Sequence, residues 1–384
     1  MRRRSPQVVR PRVAVSRVAG SVYRRCMIGV RACLLVGSLA LASACGPGDD
    51  ASGGTEADAS SSSGGGSSGG VTDGGSSGEG SSGGETGGQS FPDPADAPTY
   101  DGDAFKGMQI YDVRNDVWLD ELALLEGLDP ARLVFVGEQH ETPPIHELQR
   151  WVLERQLARH PEVALGMEHF QRDEQGVIDD YLAGTIDAAT FEAQSQPWTG
   201  YATYWKQLVE TMRAAGRPVL ALNVPDEALD SIYTQFPTRP LAVVNAWTDA
   251  APYAGDVAPR PIGPWDATYQ GYFEGSYDYN SHGKDWGLTY AEALDYFTDL
   301  ALLRDDTMGF WIAQHLEATA DRMVVVAGDW HVQTGLATPD SATKFTDVER
   351  RSITTATHAT LATVKAVGTA ERPVADYILV YEPG

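Results

Sequence analysis

Cysteine is scarce in this chain of 384 residues, and its distribution is uneven. The three cysteines, Cys26, Cys33 and Cys45, all lie within the first 45 residues. The rest of the chain therefore holds no disulfide, no zinc–cysteine site and no catalytic thiol. Any active or metal site beyond residue 45 must use other side chains.

Acidic residues are absent from the same N-terminal segment, whereas residues 1–25 contain eight arginines. An apolar run from Met27 to Ala44 follows, and small residues precede Cys45. This order is typical of an export signal, and the run is shorter than the roughly 20 residues of a spanning helix. The cysteine after small residues resembles a bacterial lipobox. We therefore predict that residues 1–45 are a lipoprotein signal peptide and that Cys45 is lipidated. An ordinary signal peptide and a start at Met27 are alternatives.

Apolar residues are almost missing from residues 46–95, which are rich in glycine, serine and acidic residues. Such a segment buries too little surface to fold, so we predict a disordered linker before a domain at 96–384. Basic residues are also few, because the chain without its signal has 20 basic and 53 acidic residues, a net charge of −33. This charge disfavours nucleic acid and anionic membranes. The predicted membrane contact is therefore through the lipid anchor only.

Four short apolar runs in the predicted domain each end in polar side chains. Runs of this length, bounded by turn signals, are typical of buried parallel strands. In open α/β sheets, ligands bind beyond the carboxyl ends of the strands, so we expect these polar groups to form one site. They are, in chain order, Glu138 and His140, Glu168 and His169, Asn223, and Asp329 and His331.

Helical periodicity between the runs predicts helices at 143–160 and 201–215, and a capping box at Thr289 predicts the start of a long helix. Residues 352–367 and 376–381 are predicted closing strands. The alternation of strand and helix indicates an α/β fold, with a mostly parallel sheet and helices on both faces.

An aromatic-rich insertion at about 249–288 interrupts this pattern. A long loop in a compact domain is often functional, so we predict a lid or aromatic wall over the strand ends. A surface excursion packed by its own aromatics is the alternative. On the following helix, Asp305 falls on the apolar stripe beside Arg304. A charge there must be paired, so the two either form an ion pair or face the polar site.

The chemistry of the strand ends allows two interpretations. Glutamate and histidine bind divalent transition metals, and a bound metal converts water into a nucleophile. Alternatively, a carboxylate orients a histidine that acts as a general base or ligand clamp. Two close carboxylates repel one another unless a cation or proton lies between them. The candidates for catalysis and for metal binding are the same four residues, Glu138, His140, Glu168 and His331. We expect His169 to lie behind them and His146 to face the crevice.

Several motifs occur in an order that resembles the ChaN-like haem-binding lipoproteins of the Tiki superfamily, over residues 131–381. They are Gly137-Glu138-Gln139-His140 with His146 and Gln149, Met167-Glu168-His169-Phe170 with Gln175, Trp198, Tyr204, Asn223, Arg304-Asp305-Thr307-Met308, Gly328-Asp329-Trp330-His331-Val332, and Ala375-Asp376-Tyr377.

This resemblance implies haem or iron binding in nutrient uptake by a lipoprotein of the bacterial envelope, at the outer membrane. It also implies a homodimer with haem at its interface and a tyrosine on the iron. The superfamily includes the Tiki metalloproteases and erythromycin esterases, so a metal-dependent or His/Glu-based hydrolase is the alternative. A binding module for another small ligand is a third possibility. The cofactor-binding candidates are His146, Tyr204, Asn223, Arg304 and Asp305.

The chain departs from the family pattern in three places. Asp226 stands where an arginine is expected after the Asn-x-Pro turn, and residues 336–339 replace the usual Gly-Val-Pro. The aromatic insertion is also atypical. Among the tyrosines, Tyr204 and those at 269–279 are candidates for the haem ligand.

Overall fold

The computed structural model describes residues 107–382, apart from the side chains of Ser281, His282 and Asp285. The predicted signal peptide, the lipidation site at Cys45 and the linker lie outside the described residues. Within 107–382, no helix has the length and apolar character needed to cross a membrane.

Eight strands form one sheet, in the order β2-β1-β8-β7-β3-β6-β4-β5. The six strands β3 to β8 pair in parallel, and β1 and β2 add an antiparallel edge. The strands are β1 (Gln109–Asp112), β2 (Val117–Leu119), β3 (Leu133–Glu138), β4 (Val163–Gln171), β5 (Val219–Asn223), β6 (Arg322–Gly328), β7 (Arg350–Thr357) and β8 (Tyr377–Tyr381). The predicted α/β fold is confirmed.

Helices connect the parallel strands and cover the sheet. In the first half they are α1 (Glu121–Leu128), α2 (Pro143–Arg159), α3 (Gln175–Leu182), α4 (Ala188–Ser195), α5 (Tyr201–Tyr204), α6 (Lys206–Ala215), α7 (Asp226–Tyr233) and α8 (Pro240–Asn245). In the second half they are α9 (Ala267–Glu274), α10 (Tyr279–His282), α11 (Tyr290–Ala318), α12 (Asp329–Val332), α13 (Thr338–Thr343) and α14 (Leu361–Lys365).

The central strands bury both of their faces, as their continuous apolar runs predict. Val134 and Val136 of β3 pack into the core on one face of the sheet, with side chains of α2 and α6. Leu133 and Phe135, which alternate with them, pack on the other face against α11. The two-residue period of the strand explains this division. The loops after β3, β4, β5 and β6 consequently emerge together at the carboxyl edge.

Two predicted elements differ from the structure. The strand predicted at 352–367 ends at Thr357, and residues 361–365 are helical. The reason is a local turn, in which the hydroxyls of Thr357 and Thr360 bond to each other's backbone N–H groups. The helix predicted at 201–215 is divided at Trp205, whose indole binds a buried carboxylate.

The insertion at 249–288 is not structureless, because it contains α9 and α10. Its aromatic side chains join α7, α8 and α11 in a third apolar cluster. Phe273 of α9 packs edge-on against Trp330, which follows β6, with ring centroids 6.4 Å apart. The insertion therefore forms an aromatic wall beside one of the strand ends, rather than a separate surface excursion.

Candidate functional site

The carboxyl ends of β3, β6 and β4 are adjacent, and their polar residues meet there. The Glu168 carboxylate accepts a hydrogen bond from the Gly328 N–H at 2.8 Å, and His331 Nε2 lies 3.4 Å from its other oxygen. His140 reaches the same place from β3, since its Nε2 lies 3.1 Å from where a Cβ on residue 328 would be. A Cβ at 328 would crowd this imidazole, which would have to move by a few tenths of an ångström.

Glu138 is the buried centre of a first cluster of polar groups. Its Oε1 accepts hydrogen bonds from His140 Nδ1 at 2.7 Å and from His169 Nε2 at 2.9 Å. Its Oε2 accepts bonds from Gln149 Nε2 at 2.7 Å and Trp205 Nε1 at 3.0 Å. Four donors thus surround one carboxylate, whose principal role in this arrangement is to hold two imidazoles.

The charges of this cluster follow from its contacts. Burial alone would raise the pKa of Glu138, but the imidazoles of His169 and His140 hold that pKa well below its usual range. Burial would lower the pKa of His140, but its bond to Glu138 and the charges of Glu138, Glu168 and Asp329 together outweigh this and raise the pKa to about 9. His140 is therefore an imidazolium at neutral pH, paired with a carboxylate.

Asp305 is the centre of a second cluster and is completely buried. Its Oδ1 accepts hydrogen bonds from His331 Nδ1 and from Thr338 Oγ1, both at 2.7 Å. Its Oδ2 accepts a bond from the phenol of Tyr269, in the insertion. Of the two arrangements that the sequence allowed, Asp305 adopts the one directed into the site. Arg304 has no described ion pair with it, and its Nε has no partner within 107–382.

Glu168 lies between the two clusters and is buried. Burial would raise its pKa, but the charges of His331 and His140 lower it. Burial also opposes protonation of His331, whereas Glu168 and then Asp305 raise the pKa of this imidazole. Beside them, burial raises the pKa of Asp329 to about 6. The site thus contains two basic imidazoles separated by one carboxylate.

His146 lies beside the first cluster and differs from the other two histidines. Its Nδ1 bonds to the Gln149 amide oxygen at 3.0 Å, whereas its buried Nε2 has no partner among the described residues. Burial lowers its pKa, so the ring is neutral and its Nε2 lone pair is free. The ring of Tyr204 lies 4.8 Å away between centroids. Tyr204 is half-buried, and its phenol makes no hydrogen bond within the described chain.

The remaining candidates lie at the margin of these clusters. Asn223 is buried at the end of β5, where its Oδ1 accepts a bond from the Val224 N–H at 2.8 Å. Arg304 is half-buried, and its charge lowers the pKa of His331. Asn223 therefore shapes the strand end, and Arg304 contributes positive charge.

A metal ion has one preformed group of ligands in the described chain. Atoms of Glu138, His140 and His169 lie within 4.8 Å of one another. The structure thus groups two of the four predicted metal ligands with His169, while Glu168 and His331 form a neighbouring pair. Because Glu138 Oε1 already accepts both imidazole protons, an ion there would have to displace them.

Sequence reasoning missed several contacts in the site. His169 is expected behind the four candidate residues, but its partner there, Glu138, is not evident from the sequence. The pairing register of β4 with β5 shifts between Met167 and Gln171. The consecutive residues Glu168 and His169 lie within this interval, and both reach the site. Gln149 has a sequence signal, since it lies one helical turn from His146. The contacts of Trp205 with Glu138 and of Tyr269 with Asp305 have no such sequence signal, because the partners are distant in the chain.

Comparison with known proteins gives consistent results. Residues 124–341 match the family model described as haem-binding uptake, Tiki superfamily, ChaN. In structure, the chain resembles ChaN of Campylobacter jejuni, a protein with cofacial haem binding, at 14% identity and a TM-score of 0.53, over 72% of this chain and 97% of that one. No curated protein sequence matches the chain.

Two further solved structures are more distant, each at 14% identity. A mutant erythromycin esterase in its open conformation has a TM-score of 0.38, over 69% of this chain and 80% of that chain. A protein from Bacillus cereus has a TM-score of 0.36, over 63% and 69%. At such identities, structural likeness shows the fold alone. The family model, which spans more than half of the chain, shows that this protein belongs to the haem-binding ChaN family of the Tiki superfamily.

Proposed function

We propose that this protein is a lipid-anchored protein of the bacterial outer membrane that binds haem and takes part in haem or iron uptake. The observation that carries this proposal is the family match over 124–341, which includes both polar clusters. Lipidation at Cys45 and the linker at 46–95 would hold the domain away from the membrane surface. Cofacial binding, as named for the relative from Campylobacter jejuni, supports a homodimer that pairs two haem groups.

The residues present fit haem at the His146 side of the site. Haem iron in proteins is held by a histidine, tyrosine, cysteine or methionine. The neutral His146 has a free Nε2, and the Tyr204 phenol beside it makes no hydrogen bond with a described residue. Behind His146, the completely buried ring of Trp205 packs edge-on, with the two ring centroids 5.3 Å apart. When bound, haem supplies an iron centre, and Tyr204 is the side chain that we assign to it.

The test is a haemin titration of the chain without residues 1–45, followed by the Soret band. We expect saturable binding and about tenfold weaker binding for Tyr204→Phe, which corresponds to roughly 1.4 kcal/mol. Tyr290→Phe is the matched control, because Tyr290 is exposed at the start of α11, with its ring beside Tyr277 and its phenol 3.3 Å from Glu274. Unsaturable binding would overturn the proposal. Equal haemin affinities for the two variants would show that Tyr204 is not the iron ligand.

One observation favours a hydrolase as a second candidate. The bond from His331 Nδ1 to Asp305 directs Nε2 towards Glu168, and a histidine held in this way by a carboxylate is suited to general-base catalysis. A transition metal at Glu138, His140 and His169 would be its cofactor. The same preparations, assayed for metal content and for ester and peptide hydrolysis, distinguish the two. The hydrolase would be established if the wild type hydrolysed a substrate and did not bind haem, and if His331→Gln abolished the hydrolysis.

A further inference from the structure

The aromatic insertion contacts the site through two tyrosine hydroxyls of helix α9. Tyr269 donates to Asp305, and Tyr272 donates to the backbone oxygen of Asp329 at 3.2 Å. The two tyrosines are three residues apart, so they lie on one face of the helix. Their partners belong to α11 and to the segment after β6. Helix α9 is therefore attached to Asp305, which holds His331, and to Asp329, two residues before His331.

The contact made by Tyr269 is with the group that holds His331. Asp305 has no exposed surface, so protein donors rather than solvent orient its carboxylate. Its Oδ1 accepts hydrogen bonds from His331 Nδ1 and Thr338 Oγ1. Among the described residues, the Tyr269 phenol is the donor to its Oδ2. Removing the phenol would leave a buried acceptor unsatisfied, and the carboxylate would then be held through Oδ1 alone and could pivot about that oxygen.

The orientation of Asp305 decides how His331 is presented. With Nδ1 donating to Oδ1, the opposite ring nitrogen, Nε2, lies 3.4 Å from Glu168 Oε1. A rotated carboxylate would no longer offer Oδ1 in this direction. The imidazole could then turn, since Glu168 contacts it at a longer distance than Asp305 does.

We propose that Tyr269, supplied by the insertion, is a positioning residue that acts through Asp305 to hold His331 with Nε2 directed at Glu168. In this proposal the insertion orients a side chain of the site, in addition to forming an aromatic wall beside it. This inference goes beyond haem binding, because it concerns the ligand-free protein and any ligand or reaction that uses His331.

The experiment is NMR of the ligand-free chain labelled with ¹⁵N-histidine. The Nδ1–H proton of His331, hydrogen-bonded to a buried carboxylate, should give a downfield resonance, which His331→Gln assigns by its disappearance. We expect Tyr269→Phe to shift this resonance or broaden it by exchange. Tyr272→Phe is the matched control, since it also removes a hydroxyl of α9 but leaves Asp305 untouched. The resonance should persist in that variant.

An unchanged resonance in a folded Tyr269→Phe variant would overturn the proposal, and so would equal changes in both tyrosine variants, because loosened docking of α9 would then explain them. If Tyr269→Phe does not fold, Thr338→Val removes the other hydroxyl from Asp305. A resonance unaffected by that change would show that hydroxyl donors do not orient the carboxylate. None of these measurements uses haem, so they stand whether or not haem binds.

Discussion

At the scale of the residue, the partner of each imidazole determines its charge. His140 and His331 place Nδ1 against the carboxylates of Glu138 and Asp305, and both have a raised pKa despite burial. His146 places Nδ1 against the neutral amide of Gln149 and has a lowered pKa. The site therefore contains histidines of raised and of lowered pKa side by side, and the one with the lowered pKa has a buried Nε2 without a partner among the described residues.

The pKa of His140 predicts how stability depends on pH. Because its folded value of about 9 exceeds the ordinary 6.5, protonation stabilises the folded state fully below pH 6.5. This contribution is lost as pH rises towards 9 and above. We expect the free energy of unfolding of the wild type to fall over this range, by at most about 3 kcal/mol from this residue.

Urea unfolding at a series of pH values measures this dependence. His140→Gln should reduce the alkaline decline relative to wild type, and His331, whose pKa is also raised, should account for part of what remains. His358→Gln, which changes a histidine at the periphery near Glu382, should retain it. Parallel declines in the wild type and in His140→Gln would show that the imidazole is not held in its charged form.

At the scale of the element, side chains cover the open edge of the sheet at β5. The Gln175 side chain donates to the Val219 oxygen at 2.8 Å and accepts from the Ala221 N–H at 2.9 Å. Arg172 donates to the Ala221 oxygen at 2.7 Å while it stacks on Trp311, 3.8 Å from the ring centroid. An exposed edge strand is prone to pair with another chain, so these contacts protect β5.

We expect Gln175→Ala to uncover this edge and to lower the free energy of unfolding by about 1–3 kcal/mol, since two backbone groups lose their partner. Aggregation on mild heating should increase as well, and light scattering with urea unfolding measures both effects. Gln207→Ala, on the exposed side of α6, is the control and should change neither. A Gln175→Ala variant as stable as that control would contradict the protective role.

At the scale of the whole molecule, the charge and the proposed anchor have opposite effects on membrane contact. A net charge of −33 after removal of residues 1–45 repels the anionic surface of a membrane. The lipid on Cys45 is then the attachment that we propose, and the linker sets the distance.

Cys45→Ser should therefore abolish the attachment of fatty acid to the protein. The measurement is metabolic labelling with radioactive palmitate of cells that express each form, followed by precipitation of the protein. Cys33→Ser, within the predicted signal, is the matched control and should still be labelled. If Cys45→Ser were labelled too, the predicted lipidation site would be wrong.

The sequence alone predicted the strand ends and the parallel sheet, because a buried strand must be a short apolar run and its end must return to polar residues. It also located Glu138, His140, Glu168 and His331 at those ends, since this information is local. Strand termination at Thr357 was less predictable, because a hydroxyl-mediated turn competes with an otherwise β-forming run.

Only the tertiary structure decided which group each of these side chains contacts. As a metal ligand or a base, Glu138 is left with Oε1, because the indole of Trp205 and the amide of Gln149 donate to its second oxygen. Asp305 could have paired with Arg304, but Tyr269 and His331 bind it instead. Hydrogen-bond partners distant in the chain are brought together by packing, which periodicity along the sequence does not encode. The sequence thus determined the fold and the composition of the site, and packing determined its charges and the roles open to its residues.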